Sequence, residues 1–379
     1  MNNLRVDFNR PVVVGNELKY IQQAIENGHL SGDGEFSKKC HTLLEHELGV
    51  KKVLLTTSCT HALEMAAILL NVKPGDEVIV PDFTFVSTIN AFVLRGAQPV
   101  FVDIRPDTLN LDEKLLEKAI TPRTRVVIVV HYAGVACEMD SILEITQKHN
   151  LSLVEDNAHA LFGKYKGRYL GTFGSLAAQS FHETKNFTSG EGGALLINDP
   201  ALCERAEIIR EKGTDRSRFF RGQVDKYSWV DIGSSYLPSE LLAAYLYAQL
   251  EARQKIQDHR KRVWEIYEAG LKDWAESHDV NLPFIPDHCL QPYHMFYLLL
   301  PNLKLRQALI KHLRNQGIYA VFHYLPLHLS EMGKKFNGHA GDYPVTERVS
   351  DQLVRLPFHN ALTASEQEMV IEAIREFKF

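Results

Sequence analysis

The chain has 379 residues, 45% of them hydrophobic, enough to bury a large core as two domains or as one large domain with an appendage. Its 42 basic and 47 acidic residues leave a net charge of −5 without long runs of either sign, which argues against nucleic acid as the main partner. No segment approaches the ~18 apolar residues of a membrane span and no basic-then-apolar leader opens the chain, and an odd set of cysteines without metal-knuckle spacing (Cys40, Cys59, Cys137, Cys203, Cys289) reads as reduced thiols in a cytoplasmic protein.

After Pro11 the first 50 residues read as helical, interrupted by a polar turn at Ser31-Gly32-Asp33-Gly34. That turn is an ordinary loop or one near a site mouth. From Val53 an alternation sets in. Strands are expected at Val53–Thr56, Glu77–Pro81, Pro99–Ile104, Arg125–Val130 and Leu151–Glu155. Helices are expected at His61–Leu70, Thr84–Leu94, Asp112–Ile120 and Met139–His149. Strands alternating with helices of this length predict an α/β fold with a mainly parallel sheet sandwiched by helices.

From Leu176 to Asn198 the chain reads as a strand, a polar turn carrying Lys185, a glycine-rich bend and a second apolar strand. A helix follows at Ala201–Lys212. Gly213–Asp231 is then a polar loop bearing Arg216, Arg218 and Arg221, long enough to suggest a role of its own. Pro238 to Gly270 has helical spacing throughout, and the proline-bearing stretch Asn281–Pro292 reads as a linker. Strands at Met295–Leu300 and Ile318–Phe322 around a helix at Lys304–Asn315, with a closing helix at Ser365–Lys378, predict a smaller α/β domain. The expected division is residues 1–240 and 241–379.

In open sheets of this kind ligands bind beyond the carboxyl ends of the strands. Ser58-Cys59-Thr60 falls there, at a helix start whose free N–H groups and dipole favour a phosphate, or where Ser58 or Thr60 merely caps the helix. Asp156 ends an apolar strand, and a buried carboxylate needs a partner. His159 lies three residues on, either structural or a wall of the same cavity. His323 and His328 are five apart with no acidic or thiol partner at matching spacing, so no metal site is expected. A lysine on a buried segment, a strand-end aspartate and a phosphate-receptive helix start are together what pyridoxal 5'-phosphate requires. Phe85 or His159 could lie flat on its ring. A nicotinamide dehydrogenase should instead carry Gly-x-Gly-x-x-Gly after the first strand, and Thr57-Ser58-Cys59-Thr60-His61 is not that.

Ser-Phe-His-x-x-Lys at 180–185 followed by Gly-Glu-Gly-Gly at 190–193, with Glu-Asp-Asn-Ala-His at 155–159, resembles the DegT/DnrJ/EryC1/StrS sugar aminotransferases. Gly32-Asp33-Gly34, the segment 81–88, His131-Tyr132-Ala133-Gly134 and the segment 323–328 also look like members of this family. Segments 219–227 and 231–237 look like its dTDP-4-amino-4,6-dideoxygalactose transaminase branch.

The resemblance implies a fold-type-I enzyme using pyridoxal phosphate on nucleotide-linked ketosugars, working as a homodimer with shared sites. It implies L-glutamate as donor and dTDP-4-keto-6-deoxyglucose as acceptor, in the route to enterobacterial common antigen. Lys185 would be the Schiff-base lysine, and Asp156 would pair with the ring nitrogen. His159 would lie near the ring, Phe85 would stack on it, and Ser180, Cys59 and Thr60 would hold the phosphate. His323, Arg216 and Tyr132 would contact substrate. Relatives with histidine at the lysine position are dehydratases, so Lys185 points to amino transfer. Ser235 and Leu237 stand where the family usually places Asn and Arg, which departs from its usual phosphate contact with the neighbouring subunit. A non-catalytic sugar-nucleotide sensor on the same fold is the competing reading.

Overall fold

A computed structural model describes residues 6–379. The central sheet is built from β1 (Lys52–Thr56), β2 (Glu77–Pro81), β3 (Gln98–Val102), β4 (Thr124–Val130) and β5 (Ser152–Asp156). After a small hairpin of β6 (Lys164–Tyr165) and β7 (Arg168–Tyr169), β8 (Leu176–Ser180) and β9 (Gly193–Ile197) complete it. The order is β1-β9-β8-β5-β4-β2-β3. Neighbours from β3 to β8 run parallel, because each is reached by a crossover that includes a helix or a long connection. The segment after β8 is too short for such a crossover, so β9 folds back antiparallel to β8 and, on its other side, to β1. Every strand except β9 therefore ends at the same edge of the sheet.

Apolar runs in these strands are continuous because both faces are covered. On β4, Val126 and Ile128 face the helix Cys59–Leu69, while Val127 and Val129 face Met139 and Ile142 of the helix Met139–Lys148. On β9, Leu195 and Ile197 join the first layer, and Ala194 and Leu196 pack under the helices Glu35–Leu48 and Glu240–Glu251. This period of two sorts one strand's side chains between two helical layers.

A second core lies in the C-terminal part. Val263, Tyr267, Leu271 and Trp274 of the helix Arg253–Ser277 pack on two short paired strands, β11 (Tyr297–Leu299) and β12 (Leu353–Arg355). The helices Leu303–Asn315 and Ala364–Arg375 close that core, and Val6 enters it from the N-terminal segment. The apolar layers change over inside the long helix, since Ile256 still packs with the first domain. β10 (Cys289–Leu290), in the connecting stretch, pairs with β6 of the first domain.

Some elements differ from the sequence reading. The stretch from Pro238 to Gly270, read as one long helix or a broken one, is broken at Ala252 into Glu240–Glu251 and Arg253–Ser277. Ile318–Phe322 makes only isolated bridges, Ile318 with Val6 and Val321 with Arg355, because the strand that pairs with β11 is instead the unforeseen β12. The helix expected from Thr84 begins at Ser87, leaving Phe83 to Phe85 free to line the sheet edge. The loop after Gly213 contains a short helix, Arg216–Phe220. No helix among the described residues is long and apolar enough to cross a membrane.

Gly193 opens β9 directly against the turn after β1. A Cβ there would fall 2.3 Å from the carbonyl carbon of Ser58 and 2.4 Å from the nitrogen of Cys59, and backbone cannot swing aside as a side chain can. Gly193→Ala should therefore cost about 1–3 kcal/mol in urea unfolding. Gly15→Ala, with nothing within 4 Å of its Cβ, should stay within about 0.5 kcal/mol. Equal stabilities for the two variants would contradict this packing.

Candidate active site

A cavity of about 520 Å³ opens at the common carboxyl edge of the strands and is roofed by the second domain. Its first wall is the turn after β1. Ser58 is the N-cap of the helix Cys59–Leu69, and its hydroxyl accepts the His61 N–H at 3.1 Å. Capping and phosphate reception are thus compatible, since the Cys59 and Thr60 N–H groups come first in the helix and have no acceptor within it. The Thr60 hydroxyl donates to Ser87 at 2.9 Å, and Ser180 ends β8 beside Gly193 on the same wall. Burial pushes the Cys59 thiol well above its ordinary range, with the nearby Asp156 adding to the rise. Cys59 is accordingly a neutral lining group.

Asp156 ends β5 and is 6% exposed. Its Oδ2 accepts the Thr88 hydroxyl at 2.7 Å and its Oδ1 accepts the Ala158 N–H at 3.2 Å. Burial raises its pKa, while those two donors and the Lys185 charge pull the other way. A cationic N–H ligand group against the carboxylate would be stabilised strongly in such surroundings.

Lys185 enters from the turn between β8 and β9, where its N–H donates to the His182 carbonyl at 2.9 Å. Its side chain is half-buried and forms no ion pair among the described residues. Burial lowers its pKa to about 8, against the opposing pull of Cys59 and Asp156. The next residue, Asn186, is tied down. Its amide donates to the Pro292 carbonyl at 2.6 Å, its side-chain oxygen lies 2.8 Å from His294 Nδ1, and its carbonyl accepts from Asn360 at 2.9 Å.

His159 stacks on His294, with ring centroids 4.3 Å apart. Its Nδ1 is buried without a partner. Burial, then the Lys185 and Arg355 charges, hold it well below the ordinary histidine range, so it is neutral. His323 lines the cavity from the second domain, with its Nδ1 3.0 Å from the Tyr132 hydroxyl. Tyr132 stands behind His323 rather than on the cavity surface. Phe85 lies at the mouth, 55% exposed, tilted against Tyr324.

Lys185, Asp156, His159, Ser180, Cys59, Thr60, Phe85 and His323 thus share one cavity. Arg216 and Ser235 do not line it. Arg216 is on the outer helix, 3.5 Å from Glu211 and over the Phe220 ring. Ser235 is exposed and bridges Glu211 through its backbone. His328 is a strut, with Nδ1 2.6 Å from Asp82 and Nε2 3.1 Å from Glu347. The Gly32-Asp33-Gly34 turn lies away from the cavity, pinned by Arg210 on Asp33 and by Glu240, which accepts the Gly34 N–H at 3.0 Å.

Among the lining or supporting residues given no role beforehand are Thr88, which closes the segment 81–88, and Asn186, His294 and Arg355. Arg355 left a trace in the sequence, a charge inside the apolar run Leu353-Val354-Arg355-Leu356.

The donor set fits pyridoxal phosphate. It offers an amine with no ion-pair partner, a buried carboxylate for the ring nitrogen, free helix-start N–H groups for the phosphate and an unpartnered imidazole nitrogen beside the ring. A sheet of this order with such a cavity defines a pyridoxal-phosphate-dependent transferase. Residues 12–375 match the DegT/DnrJ/EryC1/StrS aminotransferase family, and the chain belongs to it.

Similar proteins include GDP-perosamine synthase of Caulobacter vibrioides, 33% identical over 377 residues that cover 98% of this chain and 97% of the relative. Spore coat polysaccharide biosynthesis protein SpsC of Bacillus subtilis is 30% identical over 97% of this chain and 96% of its own. Among solved structures, the PLP form of the putative sugar aminotransferase Spr1654 from Streptococcus pneumoniae superposes with a TM-score of 0.90, at 26% identity, over 98% of this chain and 97% of that one. The protein is thus a pyridoxal-phosphate-dependent aminotransferase of the sugar aminotransferase family.

The cofactor-free chain allows a direct test of Lys185. Half of its amine should be unprotonated at about pH 8, whereas ordinary lysines need a pH of ~10.4. Brief labelling with acetic anhydride across pH, read by peptide mass spectrometry, should give Lys185 a midpoint near pH 8. A midpoint with the surface lysines would contradict the burial of this amine.

Proposed function

We propose that the enzyme moves the amino group of L-glutamate to C4 of a nucleotide-linked 4-keto-6-deoxyhexose. The dTDP-linked 6-deoxyglucose derivative is the acceptor and dTDP-4-amino-4,6-dideoxygalactose the product, in the synthesis of a cell-surface polysaccharide such as enterobacterial common antigen. The observation that carries amino transfer is the Lys185 amine, free of ion pairs, in one cavity with Asp156 and the open start of the helix Cys59–Leu69. The sugar class rests on family membership, and the branch on the likeness of segments 219–227 and 231–237. The similarity to GDP-perosamine synthases favours a second reading, in which the nucleotide is GDP.

When bound, the cofactor supplies an electron-accepting ring that stabilises negative charge at the carbon being deprotonated. The Asp156 carboxylate, kept in line by Thr88 and Ala158, would hold the proton on the ring nitrogen. The Cys59 and Thr60 N–H groups and the Ser180 hydroxyl would hold the phosphate. The Lys185 amine, with a pKa lowered toward neutrality, takes the proton from the donor Cα and returns one in the second half-reaction. Neutral His159, His294 and His323 wall the cavity without adding charge.

Two copies of the chain share the work in this reading. Phe220, Tyr227, Trp229 and Val230 stand exposed on the segment after Gly213, with Trp229 79% exposed, and Phe85 stands exposed at the cavity mouth with Val86 exposed next to it in sequence. Apolar groups of this size left exposed mark a partner surface, here a second copy that covers the mouth. Arg216 and Ser235 lie on or next to that segment and would reach the partner's site rather than their own.

Lys185→Ala should lower glutamate-dependent release of 2-oxoglutarate by at least about 1000-fold, and appreciable residual turnover rules the assignment out. Given a panel of nucleotide ketosugars, the wild type should aminate the dTDP-linked 4-ketosugar, with the galacto configuration of the product read by NMR. Preference for a GDP-linked ketosugar would move the assignment to the second reading. In solution the mass should be twice 43.1 kDa, and Trp229→Glu should shift it toward the single chain; a wild type of single-chain mass would exclude the shared site.

A further inference from the structure

Tyr132 joins the two domains behind the cavity through one hydrogen bond. It stands in the turn after β4, 1% exposed. Its backbone N–H donates to the Asn110 side-chain oxygen at 2.8 Å, and its ring meets Phe83 edge-on with centroids 5.2 Å apart. The first domain therefore places the phenol. Its oxygen lies 3.0 Å from Nδ1 of His323, in the second-domain segment that lies over the cavity. The other ring nitrogen of His323, Nε2, has no hydrogen-bond partner among the described residues. Unlike His159 Nδ1, it is not shut off from the cavity.

One proton lies between the Tyr132 oxygen and His323 Nδ1, and its side decides what a substrate meets. Both groups are uncharged, since burial holds the phenol well above and the imidazole well below their ordinary ranges. Were Nδ1 the donor, the phenolic proton would be buried without an acceptor among the described residues, and Nε2 would reach the cavity as a bare acceptor. With the phenol donating, both groups are satisfied and the imidazole proton stands on Nε2. The nearby Arg355 charge favours the same arrangement, because it attracts the lone pairs of the phenol and turns the O–H away.

We propose that Tyr132 is a positioning residue that fixes His323 as an Nε2–H donor to a hydroxyl oxygen of the hexose, beside its reacting carbon. The inference rests on the aminotransferase reading and deepens it. The two substrates of that reaction use one cavity in turn. The hexose brings uncharged hydroxyl oxygens next to the reacting carbon, and an uncharged N–H matches them without drawing in the donor's carboxylates as a cation would. His323 is close to the reacting centre, since its ring lies 6.2 Å from that of His159. One domain thus sets the tautomer and the other carries the donor, so the sugar contact is complete only when the two are closed on each other.

Two measurements test this. The first uses the cofactor-free chain with nitrogen-15 in its histidines, where the His323 signals are those lost in His323→Gln. In the wild type near neutral pH they should show Nε2 protonated and Nδ1 bare but hydrogen-bonded. Tyr132→Phe should move the Nδ1 signal to that of an unbonded nitrogen. A protonated Nδ1 in the wild type overturns the inference whether or not any variant folds, as does an Nδ1 signal that Tyr132→Phe leaves in place. The second follows bleaching of the bound cofactor in the holoenzyme. Tyr132→Phe should raise the half-saturating concentration of the nucleotide amino sugar about 10-fold and leave that of L-glutamate within about twofold of wild type. In a His323→Gln background, where the amide N–H needs no tautomer to be set, Tyr132→Phe should add less than about twofold. A tyrosine that merely supports the fold costs the same factor in both backgrounds and for both substrates, and either result overturns this inference alone. A wild type that bleaches with neither substrate overturns the aminotransferase reading and this inference with it.

Discussion

The position of the Lys185 amine depends on how its neighbour Asn186 is held. Asn186 lies on a tight reversal between β8 and β9, where a lysine would otherwise follow the turn into solvent. Instead, its side chain spans the Pro292 carbonyl and His294, and its own carbonyl accepts from Asn360. Asn360 is in turn fixed at 2.8 Å by Arg260, a fully buried guanidinium that also donates to the Tyr293 and His294 carbonyls. Arg260 has no carboxylate partner among the described residues, and burial lowers its pKa to about 9. Carbonyl dipoles therefore hold this cation, and its chain of contacts ties the lysine turn to the second domain. A mobile amine would lose the alignment that proton transfer at a substrate carbon needs.

Charge in the cavity follows the same economy. His159, His294 and His323 are neutral because burial and the Lys185 and Arg355 charges disfavour protonation, and Cys59 is a thiol because burial and Asp156 disfavour ionisation. Beside them stand the buried Asp156 carboxylate, the more exposed Glu191, an amine close to neutrality and the Arg355 guanidinium. In surroundings of low effective dielectric each of these acts over a longer range than it would in water. A substrate entering the cavity is sorted by charge before any shape complementarity applies.

Much of this was legible in the sequence, for identifiable reasons. The strands of the first domain are apolar on both faces and separated by helices, so their periodicity shows locally; β1, β2, β4 and β5 lie within a residue or two of their expected ends. Lys185, Asp156 and Ser58–Thr60 were found because strand ends are where this architecture exposes chemistry. β12 was not found, because three residues carry too little pattern, and the chain was instead read as a strand at Ile318–Phe322, whose backbone bonds go to Val6 and Arg355. Arg355 was missed with it. Asn186 and His294 act through residues distant in sequence, so no local pattern marks them. Arg216 and Ser235 came from resemblance, and within one chain the structure leaves them outside the cavity.

The second domain is held over the site by contacts in which the first domain's carboxylates do the holding. Asp82, just past the end of β2, accepts the His328 N–H at 2.8 Å and lies 2.6 Å from its Nδ1. This fixes the far end of the segment that begins at His323. Asp103, just past β3, accepts the N–H groups of Val345 and Thr346 at 2.9 and 2.8 Å. These N–H groups belong to the first turn of the helix Pro344–Gln352, which has no side-chain cap of its own. A carboxylate there satisfies free donors and meets the positive end of the helix dipole. That helix leads directly into β12 and so into Arg355. Both aspartates lie just past the carboxyl ends of parallel strands, the same edge that carries Asp156. The sheet edge that builds the cofactor site thus also positions the helix and strap that bring His323 and Arg355 over it, and weakening either aspartate contact would alter the cavity without touching any group that lines it.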